Sequence, residues 1–127
     1  MLTLEILPGR FALVRLPGDA AVPTWLAGAR RFSSSTRTPH EFSLLVDAEI
    51  VPDGLAVRSD YRGLRVAGSL PLESVGIMAG LSGALAAAGI PLLPIATHDT
   101  DYLFVADQDL AQARAALERG GYVVGES

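Results

Sequence analysis

The chain has 127 residues, of which 50% are hydrophobic and 19% charged, with a formal net charge of -4 and a pI near 5.0. That supplies the apolar material for one compact domain, or for two half-sized units sharing a core, and excludes a disordered chain. The acidic balance excludes the broad basic field that nucleic acid or an anionic membrane requires, and the lack of cysteine excludes disulfides, thiolate catalysis and Cys-ligated zinc or iron–sulfur sites.

The N-terminal half is the less regular. Met1 to Pro8 lacks the basic region and long apolar run of a secretion signal, so the cytoplasm is the expected location. Leu2 to Leu7 and Phe11 to Leu16 are strand-like runs joined at Pro8-Gly9. Val22 to Ala27 is too short for more than one or two helical turns. Phe32 to Thr36 and Phe42 to Val46 flank the polar turn Arg37-Thr38-Pro39-His40-Glu41, and Val51 to Gly54 reads as a connector. Arg30, Arg31 and Arg37 form the only local basic cluster and read as solvated loop charges, with a ligand or partner contact as the alternative.

The C-terminal half has a clearer period. Ser59 to Gly63 leads into the short β-type run Leu64 to Gly68. From Ser74 to Ala88, Met78, Leu81 and Leu85 recur at helical spacing, and Gly89 supplies the stop, which predicts an amphipathic helix with Ile77, Met78, Leu81 and Leu85 facing the core. Ser74 to Thr97 carries no charge, but Gly89-Ile90-Pro91 interrupts it, so a helix followed by a buried strand explains it better than a membrane span. Leu92 to Thr97 and Tyr102 to Val105 flank the turn His98-Asp99-Thr100-Asp101 as an antiparallel pair. Pro91 and Pro94 cannot donate to a ladder, so the first of these strands is expected to lie at an edge or to have its missing donors facing away from a neighbour. Asp107 is placed to cap a second helix carrying Leu110, Ala113 and Leu117, Gly120-Gly121 ends it, and Tyr122 to Val124 is a last strand.

From Leu64 onward the order is β-α-β-β-α-β, the ferredoxin-like split unit of the α+β class, in which two helices cover one face of a four-stranded antiparallel sheet. The strand, Thr-rich polar turn, strand layout around Arg37-Thr38 repeats the one around Thr97 to Asp101, a weak internal repeat.

Two places in this pattern carry usable chemistry. In Thr97-His98-Asp99-Thr100-Asp101, two carboxylates at the end of a strand suit an ammonium or hydroxyl group; the bland alternative is an ordinary turn whose Asp and Thr side chains bond their own backbone. A metal needs more ligands than this window offers, and no nucleophile accompanies His98, which reads as a hydrogen-bonded turn residue. The helix entry Ser74-Val75-Gly76-Ile77 offers free backbone N–H groups and the positive end of the helix dipole to a carboxylate, with Gly76 allowing close approach, although every helix has such an end. Ser33 to Thr36 lacks the glycine pattern of a phosphate loop, and no cofactor is implied.

Taken in order, Leu7-Pro8-Gly9-Arg10-Phe11-Ala12, Val22-Pro23 with Trp25, Phe32 with Ser35-Thr36-Arg37-Thr38, Glu41-Phe42-Ser43, Tyr61-Arg62 with Leu64, Val66 and Gly68, Gly76-Ile77, Gly89-Ile90 and Thr97-Asp99-Thr100-Asp101-Tyr102 resemble small bacterial proteins with two ACT-like units in tandem. That family is related in architecture to aspartokinase regulatory domains and to the animal cytosolic arginine sensors. The resemblance implies a degenerate ACT-like unit at 1–60, an ACT unit at 61–127 and a ligand site between them. By position, Ser74, Val75, Gly76 and Ile77 would receive the carboxylate of an amino acid or similar small metabolite, and Thr97, Asp99, Thr100 and Asp101 its other polar groups. Ser35, Thr36 and Arg37 hold the pseudo-equivalent place in the first unit. The sequence departs from the family at Pro91, Pro94, Ala96 and His98. The implied role is a non-catalytic, ligand-sensing regulatory module acting as a homo-oligomer or on an enzyme partner. The competing reading is a structural module that dimerises or docks on an enzyme without binding a metabolite, and a small isomerase using Asp99 and Asp101 is a third.

Overall fold

A computed structural model of the chain describes residues 2–126. It contains β1 (Thr3–Ile6), β2 (Phe11–Leu16), β3 (Ser33–Arg37), β4 (Phe42–Asp47), β5 (Ala56–Val66), α1 (Ile77–Ala87), β6 (Leu93–Ala96), β7 (Asp101–Ala106), α2 (Leu110–Arg119) and β8 (Val123–Glu126). Two compact units divide the chain: a larger one of Met1–Pro8 with Arg62–Ser127, and a smaller one of Gly9–Tyr61. The first strand, although its residues fall within the 1–60 stretch, clusters with the C-terminal half of the chain.

In the larger unit the strand order is β8-β1-β5-β7-β6, a ferredoxin-like β-α-β-β-α-β with one strand more than the four expected. β1 lies between the first and last strands of that motif. It pairs antiparallel with β5, Leu4 opposite Val66, and parallel with β8, Leu4 opposite Val124. Alternation then puts Leu4 and Ile6 of β1, Leu64 and Val66 of β5, and Leu103 and Val105 of β7 into one core with Leu81 and Leu85 of α1 and Ala113 and Leu117 of α2. Both helices thus cover the same face. Ile77 and Met78 pack on this core without being fully buried.

Three local expectations shift. α1 begins at Ile77 rather than Ser74 because Gly76 has φ +82°, a left-handed conformation that stops the helix from extending backwards. Asp107 opens a 3₁₀ turn, Asp107–Asp109, ahead of α2, and its carboxylate meets the Arg62 guanidinium at 3.2 Å. Ser59 to Gly63 is strand, part of the eleven-residue β5. A Cβ at Gly63 would lie 2.7 Å from the Phe104 ring, so the glycine in mid-strand is where an aromatic side chain crosses the backbone. Among the described residues β6, with Pro94, pairs only with β7, an edge position that suits a residue with no N–H to donate. Among the described residues no helix is long and apolar enough to cross a membrane.

The smaller unit repeats the order with its own strands, β3-β4-β2 and the first half of β5, Ala56 to Tyr61. Short 3₁₀ turns, Thr24–Gly28 and Ala48–Ile50, stand where the larger unit has helices. Trp25, Leu26 and Ile50 pack on a core of Ala12, Val14, Phe42, Leu44 and Val46. At the end of β4 the Asp47 carboxylate is 1% exposed. It accepts the backbone N–H groups of Arg30 at 3.0 Å, Arg31 at 3.1 Å and Phe32 at 3.0 Å, which ties the chain between the first 3₁₀ turn and β3 to the sheet. Burial pushes its pKa up, but these donors and the Arg31 charge outweigh burial and hold it below the ordinary aspartate value.

Leu81→Ala should cost about 2–5 kcal/mol in denaturant melts, and a loss under about half a kcal/mol would show that the α1 face is not core. Because the folded-state pKa of Asp47 is lowered, its ionised form stabilises the fold above the unfolded-state pKa, and this contribution is lost as pH falls through the folded value. Asp47→Asn should therefore cost about 1.5–3 kcal/mol at neutral pH, with the gap to the parent protein closing in strong acid. A gap that is independent of pH in urea melts would count against the carboxylate as the anchor.

Candidate functional site

In the larger unit a cavity of about 320 Å³ opens between the loop leaving β5, the first turn of α1 and the β6–β7 turn. Each wall has a local cause. The chain after Gly68 is held by the Leu70 N–H, which donates to the Asp99 carbonyl at 2.7 Å, so the loop before α1 and the β6–β7 turn are tied together. Gly76 ends that loop, and α1 starts without any side-chain cap. The N–H groups of Ile77, Met78 and Ala79, all cavity-lining residues, are among the first-turn donors that have no partner inside a helix.

The opposite wall is the turn Thr97 to Thr100. Thr97 donates its N–H to the Thr100 carbonyl at 2.9 Å and its hydroxyl to the same carbonyl at 3.0 Å. Thr100 is 3% exposed, and its hydroxyl donates to the Val66 carbonyl at 2.8 Å. Both hydroxyl protons are therefore spent on the backbone, which is the turn-forming role the sequence allowed for. His98 Nδ1 lies 2.9 Å from Asp99 Oδ1, and both side chains are exposed. Asp101 opens β7 and lines the cavity.

Of the residues expected at a ligand site, Ser74, Gly76, Ile77, Thr97, Asp99, Thr100 and Asp101 line this one cavity. Val75 does not, and it is 92% exposed. Ser35, Thr36 and Arg37 lie on β3 of the smaller unit, at the strand end that matches Ile95 to Thr97 in the larger one. There the Arg37 guanidinium sits 3.9 Å from the centre of the Phe42 ring and donates to the Gly18 carbonyl at 2.7 Å. Leu70, Pro71, Leu72, Met78, Ala79, Ala96 and His98 line the cavity as well. Leu70 to Leu72 carried no chemical signal in the sequence; the available hint was their position between two positive-φ glycines, Gly68 and Gly76.

The wall chemistry is complementary in charge. One side presents N–H donors at the positive end of a helix, the other two carboxylates, and the lining contains no arginine.

The family model of the ACT domain matches residues 56–119, from the start of β5 to the end of α2. The chain belongs to the ACT domain family. The match spans the cavity and leaves β1 and β8 outside it. An X-ray structure of an Agrobacterium tumefaciens protein superposes with a TM-score of 0.92 at 28% identity, over 99% of this chain and 94% of that one. A Vibrio cholerae protein described as a possible transport protein gives 0.75 at 24% identity, over 94% and 89%. The ligand-free regulatory subunit of aspartate kinase from Thermus thermophilus gives 0.62 at 14% identity, over 94% and 95%. The last two share the ACT fold with this chain. No curated protein matches it in sequence.

Within this ACT-domain protein Thr100 is a structural residue of the cavity wall. Thr100→Val keeps the shape and removes the hydroxyl's bond to the Val66 carbonyl, so it should cost about 0.5–1.5 kcal/mol in stability. A variant as stable as the parent in thermal melts would release the hydroxyl for another role.

Proposed function

We propose that the chain is a non-catalytic regulatory module whose cavity in the larger unit binds an amino acid or a close relative. The observation carrying this reading is that the uncapped first turn of α1 and the acidic β6–β7 turn line a single cavity of about 320 Å³. An α-carboxylate meets the Ile77, Met78 and Ala79 N–H groups, where the helix dipole favours negative charge. The ammonium group meets Asp101 and Asp99, and Ser74 supplies a hydroxyl at the rim. Membership of the ACT family supports the assignment, as does the likeness to a regulatory subunit of aspartate kinase. The site would work in the cytoplasm and pass its occupancy to an enzyme partner or a second copy.

The same rim supports a second reading. Leu72 and Val75 are 72% and 92% exposed, and a module that docks on a partner without a metabolite would use such apolar side chains.

A thermal-shift screen of amino acids separates the two. A ligand at about 100 times its dissociation constant adds about 2.7 kcal/mol to folding stability, whereas a pure docking module responds to none. For the ligand so found, Asp101→Ala should weaken binding about tenfold or more by calorimetry with the fold intact, since it removes one partner of a charged contact. Unchanged affinity would move the ammonium group away from the β6–β7 turn.

A further inference from the structure

The smaller unit holds a second concave site, unrelated to the cavity beside α1. On β2, Ala12 and Val14 point into the core of this unit, so Leu13 and Arg15 point to the opposite face of its sheet. The register sets Ser43 of β4 and Ala56 of β5 on either side of Arg15, and Arg58 beside Leu13. Arg15 and Arg58 are therefore diagonal neighbours on adjacent strands, with Cα atoms about 7–8 Å apart, within reach of one small ligand. Over the short Ala56 side chain opens a cavity of about 410 Å³, lined by these residues and Glu41.

The polar groups there are unevenly engaged. Arg15 donates to the His40 carbonyl at 3.0 Å, which holds its guanidinium near the β3–β4 turn while leaving further donors. Among the described residues, neither the Arg58 guanidinium nor the Glu41 carboxylate has a side-chain partner. Two guanidinium groups against one carboxylate leave the cavity positive in a chain whose net charge is -4. We propose that this face binds the oxyanion group of a small metabolite, the head between the Arg15 and Arg58 forks and a short apolar stem over Leu13 and Ala56. Guanidinium forks match a carboxylate or phosphate oxygen pair. Glu41 disfavours a second negative charge at its end of the cavity, so a ligand with a single anionic head fits better than a dianion. The site is open to solvent, so its affinity is on the order of millimolar and falls with salt.

Amide-resolved NMR titration of the full chain tests it, with sodium butyrate and inorganic phosphate as probes and sodium chloride at matched ionic strength as control. The expected result is saturable shifts confined to the amides around Leu13, Arg15, Ser43 and Arg58, weakened at least tenfold in Arg58→Ala and only partly restored in Arg58→Lys, which keeps the charge but loses the fork. Saturation by butyrate alone shows that the stem is read with the head, and saturation by both probes shows recognition of the oxyanion itself; either supports the site. Shifts equal to those in chloride, or saturable shifts that persist in Arg58→Ala and Arg15→Ala, would overturn it. The probes are not amino acids, so the result stands apart from the outcome at the larger unit's cavity.

Discussion

The larger unit depends on one strand being hydrogen-bonded along both edges. β1 joins β5 on one side and β8 on the other, and backbone bonds continue beyond the pairs: Val123 N–H to Leu2 carbonyl at 3.0 Å, Ala67 N–H to Thr3 carbonyl at 2.9 Å, and Leu7 N–H to Gly63 carbonyl at 2.8 Å. Without β1, the backbone groups of β5 and β8 that face it would lose their partners, and Leu4 and Ile6 would leave a gap in the core under both helices. Four residues near the start of the chain thus complete the larger unit's part of the sheet, whose other strands run from β5 onward.

The cavity is a consequence of that frame. β5 and β7 are held in the sheet, and the Thr100 hydroxyl locks the β6–β7 turn to the end of β5 through the Val66 carbonyl. The loop after β5 then has to reach α1, whose axis is set by Leu81 and Leu85 in the core. The left-handed Gly76 makes the change of direction, and the helix is left with an uncapped start facing an acidic turn. Core packing, turn bonding and glycine conformation together put opposite electrostatic poles on opposite walls.

The two units show how the same strand order is stabilised with and without helices. In the larger, α1 and α2 bury leucines against the sheet. In the smaller, two 3₁₀ turns contribute Trp25, Leu26 and Ile50, and the buried Asp47 carboxylate ties down the chain by accepting three backbone N–H groups. A charge-assisted anchor here does part of what a longer amphipathic helix does by apolar burial.

Some of this was written in local sequence. Apolar spacing alone placed Leu81, Leu85, Ala113 and Leu117 in the core and set the β-α-β-β-α-β order from Leu64, because periodicity reports which face of an element avoids water. Pro94 marked an edge strand because proline has no N–H to donate. Thr97 to Asp101 read as a polar turn, and its residues line one cavity with Ser74, Gly76 and Ile77 of the α1 entry. Other features lay beyond any local pattern. Leu2 to Leu7 announced a strand, but every strand offers the same backbone donors and acceptors, so nothing in it named β5 and β8 as neighbours; that choice came from where Leu4 and Ile6 find a core. Ser59 to Gly63 read only as the lead into the run at Leu64 because Ser, Asp and Gly are weak strand formers, and pairing on the assembled sheet makes them part of β5, with Asp60 at a left-handed φ of 64° where the register shifts. Asp47 ended an apolar run with no sign of burial, since its three donors come from residues fifteen to seventeen positions away. Sequence by itself determined what each segment buries and where the chain turns; the tertiary structure decided which edges meet, because hydrogen-bonding edges are chemically alike and only the shared core tells them apart.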